Sequence, residues 1–197
     1  MDEGLAKIRH ERSVKDFPFL ELEDNEYVEY AFKRAKVWLY LILGGLAAGL
    51  IFILLAFLLV LMGRDSLDET GINFLYIILG ALLFSVFLVG LFTIIVYRGN
   101  KLFITNKHVI QMTMVSPMAS SVNMIDLASI EDTSFSQNGI MQKMFGYGTF
   151  RLSTVGEETT YTFKKSDITA EELRAVSKLV TKAKAASSKK DSVMIVS

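Results

Sequence analysis

The sequence has no cysteine and only two histidines among its 197 residues. Without cysteine, the chain can form no disulfide, no thiolate metal site and no cysteine nucleophile. No carboxylate stands near His10 or His108 at a metal-ligand spacing, so we expect surface histidines and no metal. No GxSxG, HExxH, phosphate-binding glycine loop or dinucleotide fingerprint occurs. The sequence therefore predicts a protein that is not an enzyme and that needs no cofactor.

The sequence also has no excess of either charge, because 21 basic residues balance 21 acidic ones. The balance is uneven along the chain: residues 1–36 carry a net charge of −2, residues 37–97 carry −2, and residues 98–197 carry +4. A mild positive excess suits a C-terminal domain held near an anionic cytoplasmic leaflet. The excess is too dispersed for nucleic-acid binding, which needs a dense basic stripe.

Charge is missing altogether from two long apolar runs, residues 37–62 and 72–97, which hold no Asp, Glu, Lys or Arg. A helix rises about 1.5 Å per residue, so each run can cross a hydrocarbon core of roughly 30 Å with some tilt. A soluble helix would place polar residues every three or four positions. The pattern predicts a membrane protein with a two-helix transmembrane hairpin and a charged loop at residues 63–71.

Basic residues lie mainly at one end of this predicted hairpin. Five of them flank the two runs on the side of the chain termini, and one lies in the loop. Because basic residues favour the cytoplasmic side, we expect a multi-pass protein of the cell membrane, with both termini in the cytoplasm and the loop outside. The flanking residues are Lys33, Arg34, Lys36, Arg98 and Lys101, and the loop residue is Arg64.

The five flanking residues are also candidates for contact with anionic lipid headgroups, where each basic side chain contributes about 1 kcal/mol. An alternative, which we favour for these five residues, is that they act only as topology signals. Four more basic residues could add a lipid-contacting face to the C-terminal domain, namely Lys143, Arg151, Lys164 and Lys165.

Small residues within the runs are candidates for close packing of the two helices, because they let backbones approach in lipid. Equating the ends of the runs places Gly44 level with Gly90, and Gly49 level with Ser85. We therefore predict an intramolecular seam there, although glycine is also simply common in membrane helices. The residues of this helix-packing set are Gly44, Gly45, Gly49, Ala81, Ser85 and Gly90.

Residues 1–36 are predicted to form a separate cytoplasmic segment. Residues 1–16 are polar and mixed in charge, which indicates a loosely ordered start. From Glu26, the helical spacing of Val28, Ala31 and Phe32 predicts an amphipathic lead that continues into the first span.

Residues 98–184 change to a period of two, which predicts antiparallel strands with one buried face. The predicted strands are 101–105, 107–113, 120–125, 130–136, 149–154 and 159–164, with Val122 and Met124 facing inward and helical turns at 138–145. Thr169 and Glu172 form a capping box at the start of a closing helix. Its stripe is Leu173, Val176, Leu179, Val180 and Ala183. Residues 185–197 show no pattern and are predicted to be a flexible tail.

Three pieces of this region carry a resemblance to a known family: residues 100–110, with Ile-Thr-Asn at 104–106; residues 125–132; and residues 144–150, with Gly-Tyr-Gly at 146–148. The pattern resembles the bacterial pleckstrin-homology-like family, whose members often pair a two-helix membrane hairpin with this domain. The resemblance covers roughly residues 20–182 and implies a bent antiparallel sheet closed by a C-terminal helix. Asp126 and the Ser116-Pro117 turn depart from the family pattern. The resemblance implies no catalytic or lipid-binding residue.

Two functions remain open at this point. The first is a membrane-anchored, non-catalytic binding or scaffolding protein that presents the cytoplasmic domain to a protein partner or to the membrane surface. The second is a small transport or pore-associated subunit assembled from oligomerised hairpins. The uncharged spans favour the first function, because a water-filled pore needs a polar stripe. The expected partners are membrane lipids and either a protein partner or further copies of the chain.

Overall fold

The computed structural model of the chain describes residues 2–63, 68–154 and 160–194. Arg64, in the predicted external loop, and the predicted turn at residues 155–158 lie outside the described residues. The chain divides into two compact units, which we call the β unit and the helical unit. The β unit comprises Met1–Ala35, Gly99–Met114 and Ser120–Ser197, and the helical unit comprises Lys36–Arg98 and Val115–Ala119.

The elements alternate between helices and strands at the start of the chain and are mostly strands after the third helix. In chain order they are α1 (Asp2–Asp16), β1 (Val28–Lys33), α2 (Lys36–Met62), α3 (Glu69–Gly99), β2 (Lys101–Thr105), β3 (His108–Ser116), β4 (Ala119–Asp126), a 3-10 turn (Leu127–Ser129), β5 (Ile130–Ser136), α4 (Ile140–Phe145), β6 (Gly148–Thr154), β7 (Thr160–Ser166) and α5 (Ala170–Met194).

The helical unit contains the two predicted apolar helices. α2 has 27 residues and α3 has 31, with mean hydropathies of 2.9 and 2.7, so both are long and apolar enough to cross a membrane. The rings of Phe57 and Tyr76 lie 5.8 Å apart, and a side-chain carbon of Leu46 lies 3.6 Å from the position that a Cβ on Gly90 would take. These contacts fit an antiparallel pair in a register close to the predicted one.

The described strands of the β unit form two sheets, in the orders β1-β2-β3-β4 and β5-β6-β7. The pairs β1-β2, β2-β3, β5-β6 and β6-β7 are antiparallel. The closing helix α5 contacts β5 and the 3-10 turn, and its capping box forms, with Glu172 Oε2 accepting a hydrogen bond of 2.8 Å from the Thr169 backbone N–H. The predicted antiparallel sheets and C-terminal helix are confirmed.

The first sheet is covered on both faces at β2 and at the start of β3. One face packs with the second sheet and α5 around Leu102, Ile104 and Val109, which are fully buried. The other face buries Phe103 and Ile110 beneath the segment that follows α1, where the ring of Phe17 lies 5.1 Å from that of Phe103. This second cover explains why β2 is buried along nearly its whole length rather than at alternate residues.

The prediction for the N-terminal segment is wrong at two places. Residues 2–16 form helix α1 rather than a loosely ordered start. The predicted helical lead from Glu26 is strand β1, because its backbone pairs with β2 from Val28↔Thr105 to Lys33↔Lys101. A helical side-chain spacing over a few residues is outweighed here by backbone pairing along a free strand edge. The segment therefore belongs to the β unit and supplies one of its strands.

Two further predictions differ from the structure. Val122 and Met124 of β4 were expected to face inward, but they are 57% and 51% exposed, because β4 is an outer strand on which only Ile125 is buried. The predicted irregular tail from residue 185 is helical as far as Met194, where α5 ends. Alanine and lysine are strong helix formers, and they extend α5 beyond its apolar stripe.

Candidate membrane-surface site

The two sheets meet at a corner that brings together three basic residues. Arg34, just after β1, forms an isolated bridge with Ser166 at the end of β7. Next to it, the backbone N–H of Ala35 donates a hydrogen bond of 2.6 Å to the carbonyl oxygen of Lys165. The chain thus places Arg34 beside Lys164 and Lys165. We call Arg34, Lys164, Lys165 and Ser166 the basic corner.

A bulge at the end of β7 shapes the basic corner. Gly148 pairs with Ser166 and Thr149 pairs with Lys164, so Lys165 is the extra residue of a β-bulge. Lys165 has a φ of 63°, in the left-handed region that side chains other than glycine seldom adopt. The bulge carries the half-buried Lys165 and exposed Lys164 side chains to the same end of the sheet.

Positive charges lie close together at the basic corner. Burial lowers the pKa of Lys165, and the positive charges of Arg34 and Lys164 lower it further. Burial also lowers the pKa of the Arg34 guanidinium, which remains charged at any physiological pH. Like charges held together repel, which is why Arg34 and Lys164 lower the pKa of Lys165. The Ser166 hydroxyl, fully buried at the same point, has no hydrogen-bond partner among the described residues.

The other basic residues of the predicted lipid-contact set lie in several places. Lys33 is exposed and pairs with Lys101, whose Nζ lies 4.4 Å from the centre of the Phe19 ring. Arg151 lies on the exposed face of the second sheet, diagonal to Lys164. Three members remain, all exposed: Lys143 on α4, and Lys36 and Arg98 in the helical unit.

The predicted helix-packing set is not a continuous seam. A Cβ built on Gly44, Gly45 or Gly49 would meet nothing within 4 Å, and Ala81 and Ser85 are exposed. Of the set's four glycines, Gly90 alone faces a close neighbour, Leu46. The prediction that Gly44 meets Gly90 and that Gly49 meets Ser85 is therefore wrong. Equal depth along two helices does not place residues on facing sides, which depends on the rotation of each helix.

A buried polar cluster lies under the N-terminal segment, and sequence reasoning missed it. Glu26 is fully buried, and its Oε1 accepts a hydrogen bond of 2.5 Å from Thr105 Oγ1. The ring Nδ1 of His108 lies 2.9 Å from the same oxygen, and the Glu23 backbone N–H donates to Oε2 at 3.0 Å. The Nδ1 atom of His10 lies 2.6 Å from the Glu26 carbonyl oxygen.

This cluster corrects the prediction of surface histidines with no carboxylate nearby. Burial acts to raise the pKa of Glu26, but hydrogen bonds from Thr105, the Glu23 N–H and His108 outweigh burial and hold the pKa below its ordinary value. Thr105 and His108 are 79 and 82 residues away from Glu26 in the chain, so no local pattern could reveal these contacts. The cluster joins the N-terminal segment to the β2–β3 turn. Among the described residues, no group of three His, Cys, Asp or Glu side chains could hold a metal ion.

Comparison with known proteins gives one structural likeness. The scan against protein families returns no match, and neither does the search of curated proteins. A solved structure of a DUF1696 family protein with a pleckstrin-homology domain, from Shewanella loihica, is similar at a TM-score of 0.31 and 12% sequence identity. The match covers 43% of this chain and 70% of that one. A likeness at this level does not identify a shared fold.

Proposed function

We propose that the chain is a membrane-anchored, non-catalytic binding protein, in which α2 and α3 cross the membrane as a hairpin and fix a pleckstrin-homology-like β unit at the surface of the bilayer. One observation carries the proposal: the two strongly apolar helices join the β unit with almost no linker. β1 ends at Lys33 and α2 begins at Lys36, while α3 ends at Gly99 and β2 begins at Lys101.

The basic corner supplies the binding chemistry. It lies where the chain passes from β1 to α2, because Arg34 is bridged to Ser166 and α2 begins two residues later. The chemical class that suits three converging cations is the phosphate of an anionic lipid headgroup. The pore-forming alternative is less well supported, because α2 and α3 carry charged residues only within two residues of their ends.

Topology is tested first, with single cysteines in this cysteine-free chain. An impermeant thiol reagent added to intact cells should label Asp68→Cys, just before α3, and should leave Ser188→Cys on α5 unlabelled until the membrane is opened. The reverse labelling would place the β unit outside the cell and would contradict the proposed orientation.

Lipid selectivity is tested on the full chain purified in mild detergent from vesicles of phosphatidylcholine and phosphatidylglycerol. Native mass spectrometry should find phosphatidylglycerol enriched among retained lipids, and Lys164→Gln with Lys165→Gln should reduce the enrichment severalfold. The matched control is Lys178→Gln with Lys182→Gln, two exposed lysines on α5 with the same charge change. An equal loss in both double variants would show that only net charge matters and would remove the basic corner from the proposal.

A further inference from the structure

The short helix α4 lies at the end of the β unit from which the chain leaves toward α2. β5 ends and β6 begins beside α4, with Ser136 paired to Thr149 and Gly148 paired to Ser166. Neighbouring strands are about 4.8 Å apart, so the base of α4 is two strands, roughly 10 Å, from the end of β7. That end is the basic corner, where Ser166 is bridged to Arg34.

One side of α4 is apolar and faces outward. Ile140 is 83% exposed, Met144 63%, Met141 45% and Phe145 40%. At 100° per residue, these four positions fall within an arc of about 140° on the helix. Exposed apolar side chains scattered singly need no explanation, but four on one side of a six-residue helix form a patch. We call these four residues the α4 patch.

Hydrogen bonds to Gln142 hold both ends of α4. The Gln142 side-chain oxygen accepts a hydrogen bond of 2.6 Å from the Asn138 backbone N–H. The Gln142 carbonyl oxygen accepts from the backbone N–H of Gly146 and, at 3.1 Å, from that of Tyr147. Gly139 and Gly146, with φ of 109° and 69°, supply the sharp bends at both ends of the helix. The α4 patch therefore lies on a helix whose two ends are held by hydrogen bonds.

The chain segment that carries the α4 patch has charged residues of one sign. The described stretch from residue 133 to residue 154 contains no Asp or Glu, whereas it contains Lys143 and Arg151. Lys143 is exposed on α4 itself. An apolar face flanked by lysine is the composition of a segment that lies in the interface of an anionic bilayer, with the apolar groups below the headgroups and the ammonium among them.

We propose that the α4 patch inserts into the interfacial region of the bilayer leaflet next to the β unit, with Lys143 among the lipid phosphates. This inference rests on the proposed function, because α2 and α3 would hold the β unit at that leaflet. The patch is then a third point of attachment to the membrane, in addition to α2 and α3. It restrains the β unit against rotation on the membrane surface. Its occupant is the lipid surface, and a second copy of the chain is an outcome that the test separates.

The test uses the full chain, because β1 and α1 belong to the β unit and a fragment starting at Gly99 would lack them. Single-cysteine variants Met144→Cys and Ile140→Cys are labelled with a small environment-sensitive fluorophore and reconstituted in vesicles of phosphatidylcholine and phosphatidylglycerol. Lipids with a nitroxide near the top of the acyl chain serve as quenchers for labels at the interface, and lipids with a nitroxide near the end of the acyl chain serve for a label near the middle of the bilayer. The controls are Phe52→Cys, exposed on α2, and Asp132→Cys, exposed toward the other end of β5.

Labels at positions 144 and 140 should lose about half of their fluorescence or more to the quencher lipid and shift to the blue, while the label at 132 should stay unquenched. Quenching at 52 without quenching at 144 and 140 would overturn insertion of the patch and leave the anchored protein standing. No quenching at 52 would overturn the proposed anchoring itself. Blue-shifted but unquenched labels at 144 and 140, together with disulfide crosslinking of two chains in the unlabelled Met144→Cys variant, would assign the patch to self-association instead.

Discussion

The two units of the chain use apolar residues in opposite ways. In the β unit, Leu102, Ile104 and Val109 are fully buried within a core formed by both sheets and α5. In the helical unit, α2 and α3 are far more apolar, yet each has one buried residue in the described structure: Ile53 in α2 and Leu79 in α3. Apolar composition leads to burial only where another element covers it. The uncovered surface of α2 and α3 needs a cover, which supports a lipid bilayer as their surroundings.

The largest expected contrast between the units comes from removing one large apolar side chain from each. Phe150→Ala in β6 should destabilise the β unit by about 3–5 kcal/mol, because the residue is fully buried and leaves a cavity. Phe52→Ala in α2 should change that stability little, because this ring is 74% exposed. Hydrogen exchange of β2 and β6 amides in the reconstituted chain measures both. Equal effects would show that the two units unfold as one.

The next largest effect concerns the buried carboxylate that joins the N-terminal segment to the sheet. Glu26→Ala should cost roughly 3 kcal/mol, since the Glu23 N–H loses its acceptor and the Thr105 hydroxyl keeps only the His108 carbonyl oxygen. Amides of β1 and of the β2–β3 turn should exchange faster, whereas those of α2 and α3 should not. Glu23→Ala is the control, because that side chain is exposed and makes a surface ion pair with Lys107. An equally large effect of Glu23→Ala would contradict the role of the buried carboxylate.

The buried Glu26 carboxylate should also make the stability of the β unit depend on pH. The pKa of Glu26 in the folded chain is below its ordinary value of 4.5, so its contribution is complete above that value and is lost as the pH falls through the lower, folded-state pKa. The protection of β1 amides against exchange, corrected for the intrinsic rate at each pH, should fall in acid. Glu26→Gln should lack this pH-dependent loss. An unchanged acid response in Glu26→Gln would show that other carboxylates cause it.

The smallest expected contrast uses one glycine from each unit. A Cβ at Gly148 would lie 2.6 Å from the Phe135 ring and from the Ser136 carbonyl oxygen, so Gly148→Ala should destabilise the β unit by about 1–3 kcal/mol. Gly49→Ala in α2 meets nothing within 4 Å and should be neutral or stabilise its helix by about 0.5–1 kcal/mol. Hydrogen exchange measured separately at the amides of β6 and of α2 distinguishes the effects of the two substitutions. Destabilisation by Gly49→Ala would show that its face packs against another helix, as in an oligomer.

The contrast between the units also explains which features could be predicted from the sequence. The strands 101–105 and 130–136 were predicted with the observed bounds, because alternation and turn residues are local signals. Strand β1 and the Glu26 cluster could not be predicted, because the partners of β1 in β2 lie 68 to 77 residues away and Thr105 lies 79 residues from Glu26. The prediction of which residues meet between α2 and α3 was wrong for a related reason. In a helix that is apolar on every side, the spacing of apolar residues does not indicate which face meets the neighbouring helix.

The basic corner contains both a feature that could be predicted from the sequence and one that could not. All nine candidate lipid-contact residues could be chosen from charge and chain position alone. The grouping of Arg34 with Lys164 and Lys165 depends on the bridge between β1 and β7 and on the bulge at Lys165, which are long-range features of the sheet. Arg151, chosen on the same grounds, lies out on the sheet face instead.

The most direct test of the central claim, that α2 and α3 anchor the chain in a membrane, is extraction of membranes from cells that express the full chain. We predict that the protein stays in the membrane pellet after washing with alkaline carbonate and with high salt, and that only detergent releases it, because two apolar helices of this length are held by the hydrocarbon core. Release by carbonate or salt alone would contradict the account, since it would show that the helices are covered by protein and not by lipid.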